Sequence, residues 1–163
     1  MACRGVHFAI TPSQAEQLLA AAGDDAVMSV VEQIEETWDR DNLAESDKAW
    51  DAMHRCLTDG QLAYGNGPYP LNHCVLGPRQ LYHADDYIVS LVSPEEVQAV
   101  ARALEPISAE WFRDQYANVV PVDYAPEYGP EDLEYTWSWF QRVRALYRQA
   151  AAQGRAIIFT VDQ

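Results

Sequence analysis

Polar and apolar positions along the chain divide it into short periodic segments. From Arg4 to Ile10, the residues Arg4, Val6, Phe8 and Ile10 fall on one side at period two, which predicts a strand. Thr11-Pro12 supplies a helix cap followed by proline at the first helical position, so a short helix is expected over Ser13 to Ala22, ending near Gly23. Val27, Val30, Val31, Ile34 and Trp38 recur at helical spacing and predict a second helix. Its other face carries Glu32, Glu35, Glu36 and Asp39, which read as a solvated surface. Ser46 is placed to cap a third helix, Asp47 to about Thr58, with Ala49, Trp50, Met53, Cys56 and Leu57 as its apolar stripe and Asp59-Gly60 as its stop.

Gly60 to Pro78 is rich in glycine and proline and reads as loop. Tyr87 to Val92 is almost wholly apolar, as a central strand covered on both faces would be. Ser93-Pro94-Glu95-Glu96 is a capping sequence that launches a helix bearing Val97, Val100, Ala101 and Leu104. The strand, hydroxyl cap and proline of Ile10-Thr11-Pro12 are echoed in Val92-Ser93-Pro94, a capping solution found twice rather than a repeat. Ser108 starts a short helix with Trp111, Phe112 and Tyr116, and residues 118–130 are too broken by proline to form an element. The longest helix is expected from about Pro130 to Gln153, acidic at its start and arginine-rich toward its end, which suits the helix dipole. Ala156 to Val161 is a last apolar strand. The order β-ααα-β-ααα-β predicts an α+β fold in one domain over residues 1–163, a small mixed sheet of about three or more strands packed by about six helices.

Composition narrows the partners. With 48% hydrophobic residues, the 163-residue chain can bury a core. Its formal net charge of −14 disfavours nucleic acid and anionic membrane surfaces and suits a basic protein partner. Cys3, Cys56 and Cys74 include no CxxC and are odd in number, so no disulfide framework is expected. No signal peptide is legible in residues 1–20, and no apolar run approaches the ~20 residues of a spanning helix. The expected setting is a reducing cytoplasm.

The segment Asp47-Lys48-Ala49-Trp50-Asp51-Ala52-Met53-His54-Arg55-Cys56-Leu57-Thr58-Asp59-Gly60 resembles the DKxWxxxHxxLTG signature of the YfbM-like family, bacterial proteins of unknown function. Val75-Leu76-Gly77 fits the same pattern, Val92-Ser93-Pro94-Glu95-Glu96-Val97 resembles the family's LTPEEV segment, and Tyr147 to Ala156 is similar to its Y-x-x-A-x-x-x-G-x-A close. The resemblance spans nearly the whole chain. It implies a compact α+β fold and implies no activity. Many members carry a basic residue shortly before LTPEEV; this chain has Tyr87-Ile88-Val89-Ser90-Leu91 there, and Arg79 is the nearby residue that could supply the charge.

His54 is the leading candidate for chemistry. On the expected helix it lies beside Trp50 and Leu57, with Asp51 three residues back and Asp47 seven back toward the same side, as an acid–imidazole pair requires. The alternative is a histidine hydrogen-bonded for packing. His73 with Cys74, and Tyr82 with His83, sit in loop-like sequence, where a Cys–His nucleophile or a ligand contact would need a spatial meeting. His54, His73, His83 and Asp85 or Asp86 contain metal-ligating groups, but no spacing matches a pattern such as HExxH. No GxGxxG, P-loop or GxSxG is present, so neither metal nor cofactor is expected. Tyr124, Tyr128, Trp137 and Trp139, together with Trp50, Tyr82, Asp85 and Asp86, offer aromatic and acidic groups for a binding face.

Three functions are compatible with these residues. The favoured one is a non-catalytic binding module, inhibitor-like toward a basic protein. The second is a small hydrolase using His54 with Asp47 or Asp51 and help from Arg79 or His73. The third is a ligand-sensing domain.

Overall fold

A computed structural model gives the fold and describes residues 3–119 and 129–163. The elements run β1 (Gly5–Ile10), α1 (Pro12–Ala20), α2 (Asp24–Thr37), β2 (Leu43–Asp47), α3 (Trp50–Leu57), β3 (Arg79–Gln80), β4 (Tyr87–Val92), α4 (Pro94–Leu104), α5 (Ala109–Val119), α6 (Gly129–Gln153) and β5 (Ala156–Asp162). The strands form one sheet in the order β2-β1-β5-β4-β3. The α+β class is as expected. The sheet is antiparallel at every pairing rather than mixed, because each neighbouring pair of strands runs in opposite directions.

Two interior layers follow from the period-two alternation of the central strands. Val6, Phe8 and Ile10 of β1, Val89 and Leu91 of β4, and Ala156 and Ile158 of β5 pack under α1 and α2. Ala9, Val92, Ile157, Phe159 and Val161 point the other way, onto Met53, Val100, Phe112, Phe140 and Tyr147 of the remaining helices. All six residues of β1 are therefore buried, not only the side that alternation marks as apolar. Each large apolar side chain so buried contributes about 1.5–3 kcal/mol.

The caps anticipated at the strand-to-helix junctions form. Thr11 Oγ1 accepts from the Gln14 amide at 3.1 Å while Gln14 Oε1 accepts from the Thr11 amide at 2.9 Å. Ser93 Oγ accepts from the Glu96 amide at 3.3 Å. Ser46 is a correction. It lies in β2 and donates to the Gly5 carbonyl at 3.1 Å instead of capping a helix. Asp47 ends that strand with φ 45, and the helix begins three residues later at Trp50, without a side-chain cap. Residues 118 and 119 continue α5 rather than forming loop, and residues 120–128 lie outside the described residues. Among the described residues no helix is long and apolar enough to cross a membrane.

Candidate functional site

Helix α3 carries the leading sequence candidates, and the structure assigns each a different partner. His54 is 1% exposed. Its Nε2 lies 2.9 Å from the Ala63 carbonyl and 3.0 Å from Asn66 Oδ1. The Asn66 amide nitrogen donates to Asp59 Oδ1 at 2.6 Å and to the Gln61 carbonyl at 2.9 Å, so its oxygen faces His54 and must accept. His54 therefore donates through Nε2 and closes the 58–66 loop over the helix. Burial holds its pKa below the ordinary imidazole value, against the opposing pull of Asn66 and the Ala63 carbonyl.

Asp51 accepts from Arg55 Nε at 2.6 Å, and Asp47 accepts from the Tyr135 hydroxyl and lies 3.3 Å from Arg4 Nε. Neither carboxylate hydrogen-bonds His54. The premise that put Asp47 on the same helix face fails because Asp47 belongs to β2. Trp50 is corrected as a binding-face residue: it is 6% exposed and donates Nε1 to the Cys3 carbonyl at 2.9 Å.

His73, Arg79 and Glu96 form a second cluster. Arg79 Nη1 meets Glu96 Oε1 at 2.7 Å, and His73 Nδ1 stands 3.8 Å from Glu96 Oε2. Burial lowers the His73 pKa, with Glu96 raising it and Arg79 lowering it further. The Ser93 hydroxyl also donates to Glu96, at 2.8 Å, so the α4 cap and the arginine share one carboxylate. Cys74 is buried, and desolvation pushes its thiol up, away from the thiolate a nucleophile needs. The five cavities lined by Trp38, Tyr82, Gln98, Phe8 and Phe112 include none of His54, His73 and Arg79. No group of three or more His, Cys, Asp or Glu among the described residues is placed to hold a metal ion.

Tyr82 and Asp85 do come together. They line an open cavity of about 340 Å³ with Tyr64, His83, Tyr87 and Gln80, beside the short edge strand β3. The walls are held in place. Tyr82 and Tyr87 meet edge to face with ring centroids 6.2 Å apart, and the Tyr82 hydroxyl donates to Asp86 at 2.6 Å. That hydrogen bond raises the Tyr82 pKa to about 12, so the phenol stays protonated. Tyr87 donates to Glu35 of α2. The His83 and Ala84 amides both donate to the Asp24 carboxylate at 3.0 Å, which ties the cavity's loop to the start of α2. Tyr64, 56% exposed, forms the open side.

The tryptophans of α6 are half-buried. Trp137 packs on Phe112 and Phe140 with centroids 5.3 and 5.4 Å away, and lines a separate cavity of about 300 Å³ with Leu133 and Arg113. Trp139 lies under the Arg142 guanidinium, 4.6 Å from ring to carbon. Tyr124 and Tyr128 lie outside the described residues.

Residues 1–160 match the family described as a domain of unknown function, DUF1877. The chain belongs to the DUF1877 family. Its structure is similar to the crystal structure of YfbM from Escherichia coli, a protein of unknown function, with a TM-score of 0.69 and 22% identity over 97% of this chain and 99% of that one. That likeness establishes a shared fold, and the YfbM-like resemblance carried by the motifs is borne out. No curated protein is matched.

Within this DUF1877 chain, sequence reasoning reached Tyr82 and Asp85 but missed Tyr64, Tyr87 and His7. Tyr64 sits in a glycine-rich loop eighteen residues before Tyr82, and only the folded path of that loop brings the two to one cavity. His7 is wholly buried, and its Nε2 reaches the Cys74 carbonyl at 2.8 Å. A histidine between Val6 and Phe8 in an otherwise apolar strand was the available signal.

Proposed function

We propose that this chain is a non-catalytic binding module that receives a basic protein partner at the tyrosine-lined cavity beside β3 and β4. The single observation that carries the reading is the chemistry of those walls. Three tyrosine rings and the Asp85 carboxylate surround one opening, and Asp86 is held at its rim by Tyr82. Tyrosine faces attract ammonium and guanidinium groups through the ring quadrupole, and an adjacent carboxylate adds a direct charge. The net charge of −14 steers a cationic partner from a distance. The proposed setting is the cytoplasm, which suits a chain with Cys56 and Cys74 buried as thiols.

The test is a calorimetric titration of the chain with an arginine- and lysine-rich peptide, repeated for variants. Binding that weakens about fivefold or more in both Tyr82→Ala and Asp85→Asn, with little change in Glu110→Gln, exposed on α5 on the other side of the sheet, is expected. Equal affinity for all three variants means that the peptide is held by overall charge alone and overturns the assignment of the cavity. Absence of binding overturns the reading as a whole.

A further inference from the structure

A second cavity lies at the opposite edge of the sheet. It occupies about 360 Å³ between β2 and α6, close to the lower end of the range for small-molecule sites. β2 pairs with β1 on one side only. Leu43 and Glu45 point to one side of the sheet and Ala44 to the other, yet all three line the cavity, so it runs along the strand's open edge.

Its charges are unlike those of the rest of the molecule. Arg40 and Arg142 line it together with Asp41 and Glu45, two cations and two anions in a chain whose net charge is −14. Among the described residues none of these four side chains forms an ion pair, whereas Arg4, Arg55, Arg79 and Arg148 each hold a carboxylate. Four unpaired charges around one hollow are available to a ligand.

The frame is rigid. Gln149 of α6 donates to the Asp41 carbonyl at 2.6 Å and to Asn42 Oδ1 at 3.2 Å. Asp39 accepts from the Asp41 amide at 3.2 Å and from the Asn42 side chain at 2.7 Å, fixing the turn that carries Arg40. Arg142 lies over the Trp139 ring, which orients the guanidinium while leaving its N–H donors free. Trp38, Leu43 and Leu146 add apolar wall.

We propose that this groove binds a free α-amino acid with an apolar side chain, its carboxylate on Arg40 and Arg142 and its ammonium on Asp41 and Glu45. A simple anion would meet two carboxylates and the field of the whole acidic chain, and a simple cation would meet two guanidiniums. A zwitterion satisfies both pairs and carries no net charge to be repelled. The side chain then rests on Trp38 and Leu146. This site is separate from the tyrosine cavity and does not depend on it.

The test is calorimetric titration of the intact chain with L-leucine and L-phenylalanine, alongside isoamylamine and 4-methylpentanoate, which keep the side chain of leucine and one of its two charges each. At least one amino acid is expected to bind, with each single-charge analogue weaker by about tenfold or more. Arg142→Gln and Glu45→Gln, both at exposed positions and checked for fold by circular dichroism, are each expected to weaken the amino acid about tenfold. Tyr82→Ala should leave it unchanged. Absence of amino-acid binding at about 10 mM overturns the proposal. So does equal binding of 4-methylpentanoate, which would mark a plain anion site, and so does affinity that neither variant alters.

Discussion

His7 and Tyr147 share one acceptor. The imidazole Nε2 of His7 on β1 and the hydroxyl of Tyr147 on α6 both lie 2.8 Å from the Cys74 carbonyl oxygen. Both side chains are fully buried, and Cys74 lies in the irregular segment between α3 and β3. A buried carbonyl without a donor costs about 1–3 kcal/mol. Two donors from different layers therefore fasten a loop of little regular structure to the sheet and to the longest helix at one point.

Replacing Tyr147 by Phe keeps the ring in the core and removes one of those donors. The loss expected is about 1 kcal/mol, because His7 still serves the carbonyl. Urea denaturation measures it. The double variant with His7→Leu should lose more than the sum of the two single changes, since only then is the oxygen left without a partner.

His7 also makes stability depend on pH. Burial lowers its pKa from 6.5 to about 4, because the charged form is desolvated, against the smaller opposing pull of the Cys74 carbonyl. Between those two pH values the unfolded chain binds a proton at this site and the folded chain does not. Stability from this group is complete above pH 6.5 and falls as the pH drops toward 4, by about 3 kcal/mol in all. His7→Gln removes the titration, so the difference in unfolding free energy between wild type and variant should slope with pH across that window and flatten outside it. A difference curve that is level from pH 4 to pH 7 would show that folding leaves the proton affinity of His7 unchanged.

The 58–66 loop depends on the amide of Asn66. It accepts from His54 and donates to Asp59, Gln61 and Thr58. Asn66→Ala leaves the buried Nε2 of His54 with the Ala63 carbonyl alone and frees the loop's polar groups to water. A loss of about 2 kcal/mol is expected. Backbone amides of residues 58–66 should exchange hydrogen faster in the variant, while those of β5 exchange as before.

What the sequence made legible tracks how local each signal is. Thr11-Pro12 and Ser93-Pro94 name their helices through contacts three residues apart, and β4 and β5 are apolar runs interrupted only by Ser90 in the first and by Thr160 and the terminal Asp162 in the second. β2 was not legible because Leu43-Ala-Glu-Ser-Asp holds one large apolar residue and ends in Ser-Asp, which reads as a helix cap. It becomes a strand through pairing with β1, which joins positions as distant in the chain as Gly5 and Asp47. β3 is two residues long, below any periodicity. The candidate site divides in the same way. Acidic and aromatic composition picks out Tyr82 and Asp85, but the Tyr64 wall depends on a loop closed by His54 and Asn66, a contact between residues twelve apart. Trp50 read both as part of the apolar stripe of its helix and as a group for a binding face. The Cys3 carbonyl, which takes its indole N–H, allows the whole ring to be buried.

Two glycines of that same loop separate backbone strain from steric conflict. Gly65 and Gly67 have φ of 73 and 76, a region that costs a side-chain-bearing residue about 1–2 kcal/mol. A Cβ on Gly65 would meet nothing within 4 Å, whereas one on Gly67 would stand 2.7 Å from both Cα and Cβ of Thr58. The Thr58 backbone cannot yield easily, because the Thr58 hydroxyl donates to the His54 carbonyl at 2.7 Å and anchors the end of α3. Gly65→Ala should therefore cost about 1 kcal/mol and Gly67→Ala about 3 kcal/mol, the difference being the clash. Equilibrium denaturation of the two variants side by side decides it. Equal losses would mean that the 58–67 loop can move as a body away from α3, and the Tyr64 wall of the cavity would then be adjustable rather than fixed.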